Sequence, residues 1–257
     1  MSPNFRKMNF IGIIPARYKS TRLPGKPLAD LGGKPMIVRV LEQVIKILPD
    51  IIVATDDSRV ESIVQKHGGT AIMTEMTHKS GTDRCGEAAL KLISSGKQVD
   101  IVINIQGDEP FISEEHIKLL MKSFDDPRVD IATLANPVKL NEDIFDPNIV
   151  KVITNKDDFA MYFSRSPIPF LRKTDHAEWS KHFHFLKHVG IYAYKYKVLH
   201  EITNLPQSSL EIAEMLEQNR WLENSYKIKV AKTDIETFGI DTPEDLERAN
   251  QYLKEQY

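Results

Sequence analysis

A single cysteine, Cys85, stands among 257 residues, so the chain can form no internal disulfide and no multi-cysteine metal cluster; this suits a reducing compartment. Neither sign of charge is in surplus. With 34 basic and 36 acidic residues the net charge is −2, and no global field draws the protein to nucleic acid or to an anionic membrane. Any anion site must therefore be local. Glycine, at 12 residues, is too scarce for a collagen-like chain, and no apolar run approaches the ~18 residues that cross a bilayer. Residues 1–9 are polar and weakly basic, and the apolar stretch 10–14 is too short for a signal core, so the N-terminus reads as no targeting segment. These absences predict a soluble, cytoplasmic protein. What is present, 41% hydrophobic and 27% charged residues, supplies the core of one large domain or of one domain with a small appendage.

Short β-type runs alternate with helical patterns, which predicts βαβ units and a mainly parallel α/β sheet with helices on both faces. The strand candidates are 10–14 (FIGII), 51–54 (IIVA), 71–73, 101–105 (IVINI) and 131–134. The near-continuous apolarity of 101–105 argues for burial on both faces. Helical spacing of Met36, Val40, Val44 and Leu48 predicts a helix from Pro35, with further helices over 59–67, 86–93 and 113–124. From about residue 136 prolines interrupt the pattern, and 150–154 and 160–164 read as antiparallel strands. Residues 136–187 are expected to be a small β-rich insert. Residues 1–135 and 188–257 are expected to be the α/β domain, with a strand at 189–194, a helix over 210–222, a strand at 228–231 and a last helix over 243–254.

After the first strand comes a loop with Arg17, Lys19, Arg22 and Lys26 and no acid between them. In an open parallel sheet ligands sit beyond the carboxyl ends of strands, and this loop leaves such an end. Four clustered cations repel one another, and a polyanion removes that repulsion; the bland alternative is a solvated charge run. Two familiar phosphate loops are excluded. Gly25-Lys26 is followed by Pro27, and Ser20 stands where the Walker pattern needs its first glycine; the dinucleotide fingerprint G-x-G-x-x-G is absent.

Two acids follow predicted strand ends far apart in sequence. Asp108 lies in Gln106-Gly-Asp-Glu-Pro110, and Asp241 follows the short segment 237–240. Mg²⁺ favours a few carboxylates together with phosphate oxygens and water. Asp241 is equally explained as part of a helix start, with Thr242 as N-cap and Pro243 at the first position. Arg84 follows Ser80-Gly-Thr-Asp ahead of a helix, where amides and the helix dipole favour an anion. His188 and Tyr192 lie four apart on one strand face, as a binding pair or as packing.

The run IPARYKSTRLPGKPLADLGGKPM (14–36) resembles the motif of the sugar-activating cytidylyltransferases, in particular those acting on 3-deoxy-D-manno-octulosonate (Kdo). The likeness continues in order through ATDDSRV, SGTDR, INIQGDEPFI, FSRSPIPF, KHVGIYAY, LEQNRWLE and GIDTPEDL, and so covers nearly the whole chain. It implies a nucleotide-diphosphosugar transferase-type α/β fold, a homodimer joined through the β-rich insert, and Mg²⁺-dependent formation of CMP-Kdo from CTP and Kdo for lipopolysaccharide biosynthesis. It further implies Asp108 and Asp241 as metal ligands, and Arg17, Arg22, Lys26 and Arg165 at the nucleotide phosphates. Arg84 is then expected at the sugar carboxylate, with Gln106, His188, Tyr192, Glu217 and Gln218 around the sugar. Arg22, Lys26, Asp108 and Asp241 are the expected catalytic set. The competing expectations are a cytidylyltransferase for another sugar acid, such as 8-amino-Kdo or a sialic acid, and a nucleotide-binding homologue without turnover.

Overall fold

In a computed structural model, which describes residues 8–255, the apolar run after Asn9 is β1 (Phe10–Ala16). Residues 1–7 of the segment read above as carrying no targeting signal lie outside the described residues. With β2 (Ile51–Thr55), β3 (Ala71–Met73) and β4 (Ile101–Asn104), β1 builds a sheet in the order β3-β2-β1-β4, every pair parallel. All residues of β2 and β4 are buried, as strands covered on both faces must be. Parallel neighbours need crossover connections, and helices Met36–Val44, Ser58–Lys66 and Gly81–Ser94 supply helical crossover segments. Met36, Val40 and Val44 are buried at their expected helical spacing, and Leu48 is buried just beyond that helix's end. Among the described residues no helix is long and apolar enough to cross a membrane.

The third helix starts earlier than its apolar spacing suggests. The Ser80 hydroxyl accepts from Asp83 N (3.1 Å) while the Asp83 carboxylate accepts from Ser80 N (3.2 Å), a reciprocal cap that satisfies two otherwise orphaned amides. The expected 86–93 helix therefore begins at Gly81, and Arg84 lies within its first turns rather than ahead of it.

These elements, with residues 195–203 and 237–255, make one compact unit; residues 115–194 and 204–236 make a second. In the second unit β5 (Ile131–Pro137) runs antiparallel to β8 (Leu186–Lys195) and parallel to β9 (Ile228–Lys232). Strands β6 (Lys151–Thr154) and β7 (Ala160–Ser164) form the antiparallel pair expected there, and β6 pairs with the start of β8. Within the proline-rich segment, Ile144, Trp179 and Phe185 pack into a small core of their own.

One helix expected in this unit is two. Helix Ser209–Glu214 ends at Met215, whose φ of 52° is left-handed, and helix Glu217–Glu223 starts afresh after Leu216. Ile212 is 62% and Met215 81% exposed, while Leu216 and Gln218 are buried. A left-handed residue rotates the second helix relative to the first, so a single helical period cannot describe both.

Candidate active site

The basic loop is built to approach a ligand. Gly25 takes φ 70° and opens a short 3-10 turn, Lys26–Leu28, whose Pro27 needs no amide partner at that position. Tyr18 packs on Gly25, where a Cβ would lie 3.1 Å from its hydroxyl, and the Arg59 guanidinium lies 3.4 Å from the Tyr18 ring centroid. Arg17, Lys19 and Arg22 are exposed, whereas Leu23 is buried. Leu23 shares an apolar cluster with Leu31, Met36, Ile240 and Ala249. That cluster draws the loop toward the segment that carries Asp241.

The loop after β4 is held from two sides. A Cβ on Gly107 would lie 3.0 Å from the Pro15 carbonyl oxygen, so a side chain there would push this loop away from β1 by a few tenths of an ångström. The Asp108 carbonyl accepts from Ile240 N at 2.9 Å, which places Asp241 beside Asp108. Segment 237–240 is no strand, so Asp241 does not sit at a strand end as expected; this backbone bond and the Leu23–Ile240 cluster position it instead. Thr242 and Asp245 cap helix Pro243–Glu255 reciprocally, so the helix-start reading of this motif holds as well.

The two carboxylates and the loop meet on one nitrogen. Lys26 Nζ donates to Asp108 Oδ2 at 2.5 Å and to Asp241 Oδ1 at 2.8 Å, and Arg22 pairs with Asp241 Oδ2 at 3.0 Å. Burial alone would lower the Lys26 pKa, but the two carboxylates outweigh it and hold the ammonium above its usual value. Neighbouring Glu109 is pushed up to about 7 by burial, with the Asp108 and Asp241 charges adding to it and a hydrogen bond from the Thr237 hydroxyl opposing. Its bond from Thr237 at 2.8 Å ties the loop after β4 to segment 237–240.

Arg17, Arg22, Lys26, Asp108 and Asp241 line a cavity of about 370 Å³, together with Ser80, Arg84 and Gln106. Such a volume lies in the range of small-molecule sites. Among the described residues no three or more His, Cys, Asp or Glu side chains gather as a metal cage. A pair of carboxylates suits Mg²⁺ completed by phosphate oxygens and water, and the pair here already embraces a cation.

Arg84 is wholly buried; its guanidinium donates to the Asp56 carboxylate (2.9 Å) and to the Thr74 hydroxyl. Neither partner was evident from the sequence, because a side-chain pair between a strand end and a helix leaves no periodicity.

The remaining expected residues belong to the second unit. Arg165 donates to the backbone carbonyls of Glu214 (2.8 Å) and Pro147 (2.9 Å). The His188 and Tyr192 rings do meet, with centroids 5.3 Å apart, across an irregularity in the β5–β8 register. Thr133, which sequence reasoning missed, lies 3.0 Å from His188 Nε2 through its hydroxyl. Removal from water holds His188 to about 3, and burial followed by the Glu217 charge pushes the Tyr192 phenol well up. Glu217 accepts from Arg220 at 2.9 Å, and Gln218 is buried.

A family model described as cytidylyltransferase matches residues 11–228. The chain belongs to the cytidylyltransferase family. Among curated relatives of this cytidylyltransferase, a 3-deoxy-manno-octulosonate cytidylyltransferase of Parabacteroides distasonis is 56% identical over 250 residues, covering 96% of this chain and 98% of its own. One of Thermodesulfovibrio yellowstonii is 50% identical over 248 residues, covering 95% and 97%. A solved CMP:2-keto-3-deoxy-manno-octonic acid synthetase in complex with CTP superimposes with a TM-score of 0.88 at 42% identity, covering 96% and 99%. A 4-diphosphocytidyl-2C-methyl-D-erythritol synthase of Anaerococcus prevotii shares the fold alone, with a TM-score of 0.60 at 17% identity.

Proposed function

We propose that this cytidylyltransferase joins CTP and Kdo to give CMP-Kdo and diphosphate. Identity of about half or more with full-length relatives named for that reaction supports the reading. The observation that carries it is the convergence of Arg22, Lys26, Asp108 and Asp241 in one cavity, since nucleotidyl transfer depends chiefly on positioning and charge neutralisation. The anomeric 2-hydroxyl of Kdo attacks the α-phosphorus of CTP; its oxygen forms the new bond and gives up its proton to solvent water as the bond to the β-phosphate oxygen breaks and diphosphate departs. Arg17, Arg22 and Lys26 balance the triphosphate charge, and Lys26 then exchanges its carboxylate partners for phosphate oxygens. Asp108 and Asp241 would hold Mg²⁺. When bound, that ion neutralises phosphate charge and lowers the pKa of a hydroxyl, so no dedicated side-chain base is invoked.

Arg84 and Gln106, which line the cavity, are the proposed contacts of the sugar acid in the first unit. Arg165 for the triphosphate, and His188, Tyr192, Glu217 and Gln218 for the sugar, are the proposed contributions of the second. The proposed homodimer, joined through the β-rich insert, has candidate contact side chains in Met161 and Phe170, exposed at 60% and 69%. Incubation with each nucleoside triphosphate, with and without Kdo and Mg²⁺, tests the reading. Diphosphate release should require CTP, Kdo and the metal together. Release that prefers a sialic acid or 8-amino-Kdo would move the substrate assignment, and none with any sugar acid would end it.

A further inference from the structure

Arg84 raises a physical question that its proposed contact with the sugar acid does not answer. Its side chain is fully buried, and an isolated buried guanidinium is costly unless it is paired and hydrogen-bonded. The pairing comes from Asp56, the residue after β2, whose side chain is only 12% exposed and accepts from Arg84 Nη2 at 2.9 Å. The other terminal nitrogen, Nη1, donates to Thr74 Oγ1, and that hydroxyl donates in turn to the Thr55 carbonyl at 3.1 Å. Strand β2 and the residues that follow β3 thus grip both ends of the guanidinium. Nε is buried and has no partner in the protein, while Arg84 lines the cavity that holds Lys26 and Asp108. Of the three guanidinium nitrogens, Nε alone makes no hydrogen bond and is left for a ligand there.

We infer that Asp56 is a positioning residue: with Thr74 it fixes the Arg84 guanidinium so that its Nε edge serves the carboxylate of the substrate. The inference rests on the proposed function, in which Arg84 meets the sugar acid. A charge-assisted bond from a planar group depends on orientation as well as charge, and anchoring two of three nitrogens sets the plane in advance. Asp56 therefore acts through Arg84, without touching substrate.

Steady-state kinetics against each substrate separately test this. Asp56→Ala should raise the KM for Kdo by about tenfold or more, with the KM for CTP and kcat changed by less than about twofold. Asp56→Asn keeps an acceptor oxygen at the same place and should recover most of that loss. Thr74→Val removes the second anchor without altering charge and should raise the KM for Kdo by about threefold. A merely structural Asp56 would lower the melting temperature and the active fraction, hence apparent kcat, and leave the KM for Kdo where it is. That result, or an equal rise in the KM for CTP, overturns the inference. If Asp56→Ala does not fold, Thr74→Val decides, and an unchanged KM for Kdo in that variant overturns it. Arg84→Ala separates the two levels. If that variant leaves the KM for Kdo unchanged, the contact between Arg84 and the sugar acid is wrong. If it is impaired while the Asp56 and Thr74 variants are normal, only the positioning role falls.

Discussion

Replacing Lys26 by Gln should have two opposite effects in the nucleotide-free protein. The Lys26 side chain is 17% exposed, and its ammonium bridges Asp108 and Asp241, whose side chains are 26% and 45% exposed. Without it two carboxylates face each other, and among the described residues the one remaining ion pair to either is that of the exposed Arg22 with Asp241. Removing one partner of a fully buried pair is destabilising by about 3–5 kcal/mol, and partial solvent screening here brings the expected loss to about 2 kcal/mol. The same vacancy should favour a divalent ion, because in the wild type the ammonium has to leave both carboxylates first. Each factor of ten in affinity corresponds to about 1.4 kcal/mol, so Mn²⁺ used as a probe for Mg²⁺ should bind the variant about tenfold or more tightly. Chemical denaturation without metal reads the first effect, and calorimetry or electron paramagnetic resonance with Mn²⁺ reads the second. Turnover should fall sharply, since one phosphate-facing charge is gone. A variant as stable as wild type that binds Mn²⁺ no better would refute both the bridging energetics and the placement of the ion between these acids.

Asp108→Asn should leave a folded protein and abolish Mg²⁺-dependent diphosphate release; full activity at ordinary Mg²⁺ would remove Asp108 as a ligand. Leu23→Ala empties part of the cluster shared with Ile240 and should lower stability by about 2–4 kcal/mol while raising the KM for CTP, both read on the purified variant; an unchanged KM would mean the cluster does not set the loop. Burial raises the Glu87 pKa, but Lys91, the Glu75 amide and His78 more than offset it and hold the carboxyl at about 2. Its folded-state value lies below its ordinary one, so the stabilisation is present above about pH 4.5 and is lost as the pH falls toward 2. Glu87→Gln should accordingly be less stable by about 1 kcal/mol at pH 7, once solvent screening is allowed for, and converge on wild type near pH 2; denaturation curves offset equally at both pH values would contradict the lowered value.

What the sequence made legible was local. Strands β1, β2 and β4 announced themselves by continuous apolarity, and the basic loop by four cations without an acid. The helix at Gly81 carried a readable signal in Ser80 and Asp83, but the apolar period that starts later dominated. Helix 210–222 failed for the opposite reason: Ile212, Met215 and Leu216 fall at helical spacing by coincidence, and nothing at Met215 advertises a left-handed residue. Asp108 and Asp241 were paired through the family resemblance, because the contacts joining them, Ile240 to Asp108 and Leu23 to Ile240, link segments with no shared period. Asp56 and Thr74 escaped notice for the same reason.

The backbone bond between Ile240 and Asp108 has a kinetic corollary. Closing so long a stretch of chain is entropically slow compared with forming the helices and neighbouring strands. During refolding from denaturant, far-ultraviolet ellipticity should recover ahead of the ability to process nucleotide. A partly matured molecule would thus keep its hands off the cell's CTP until its last segment had docked.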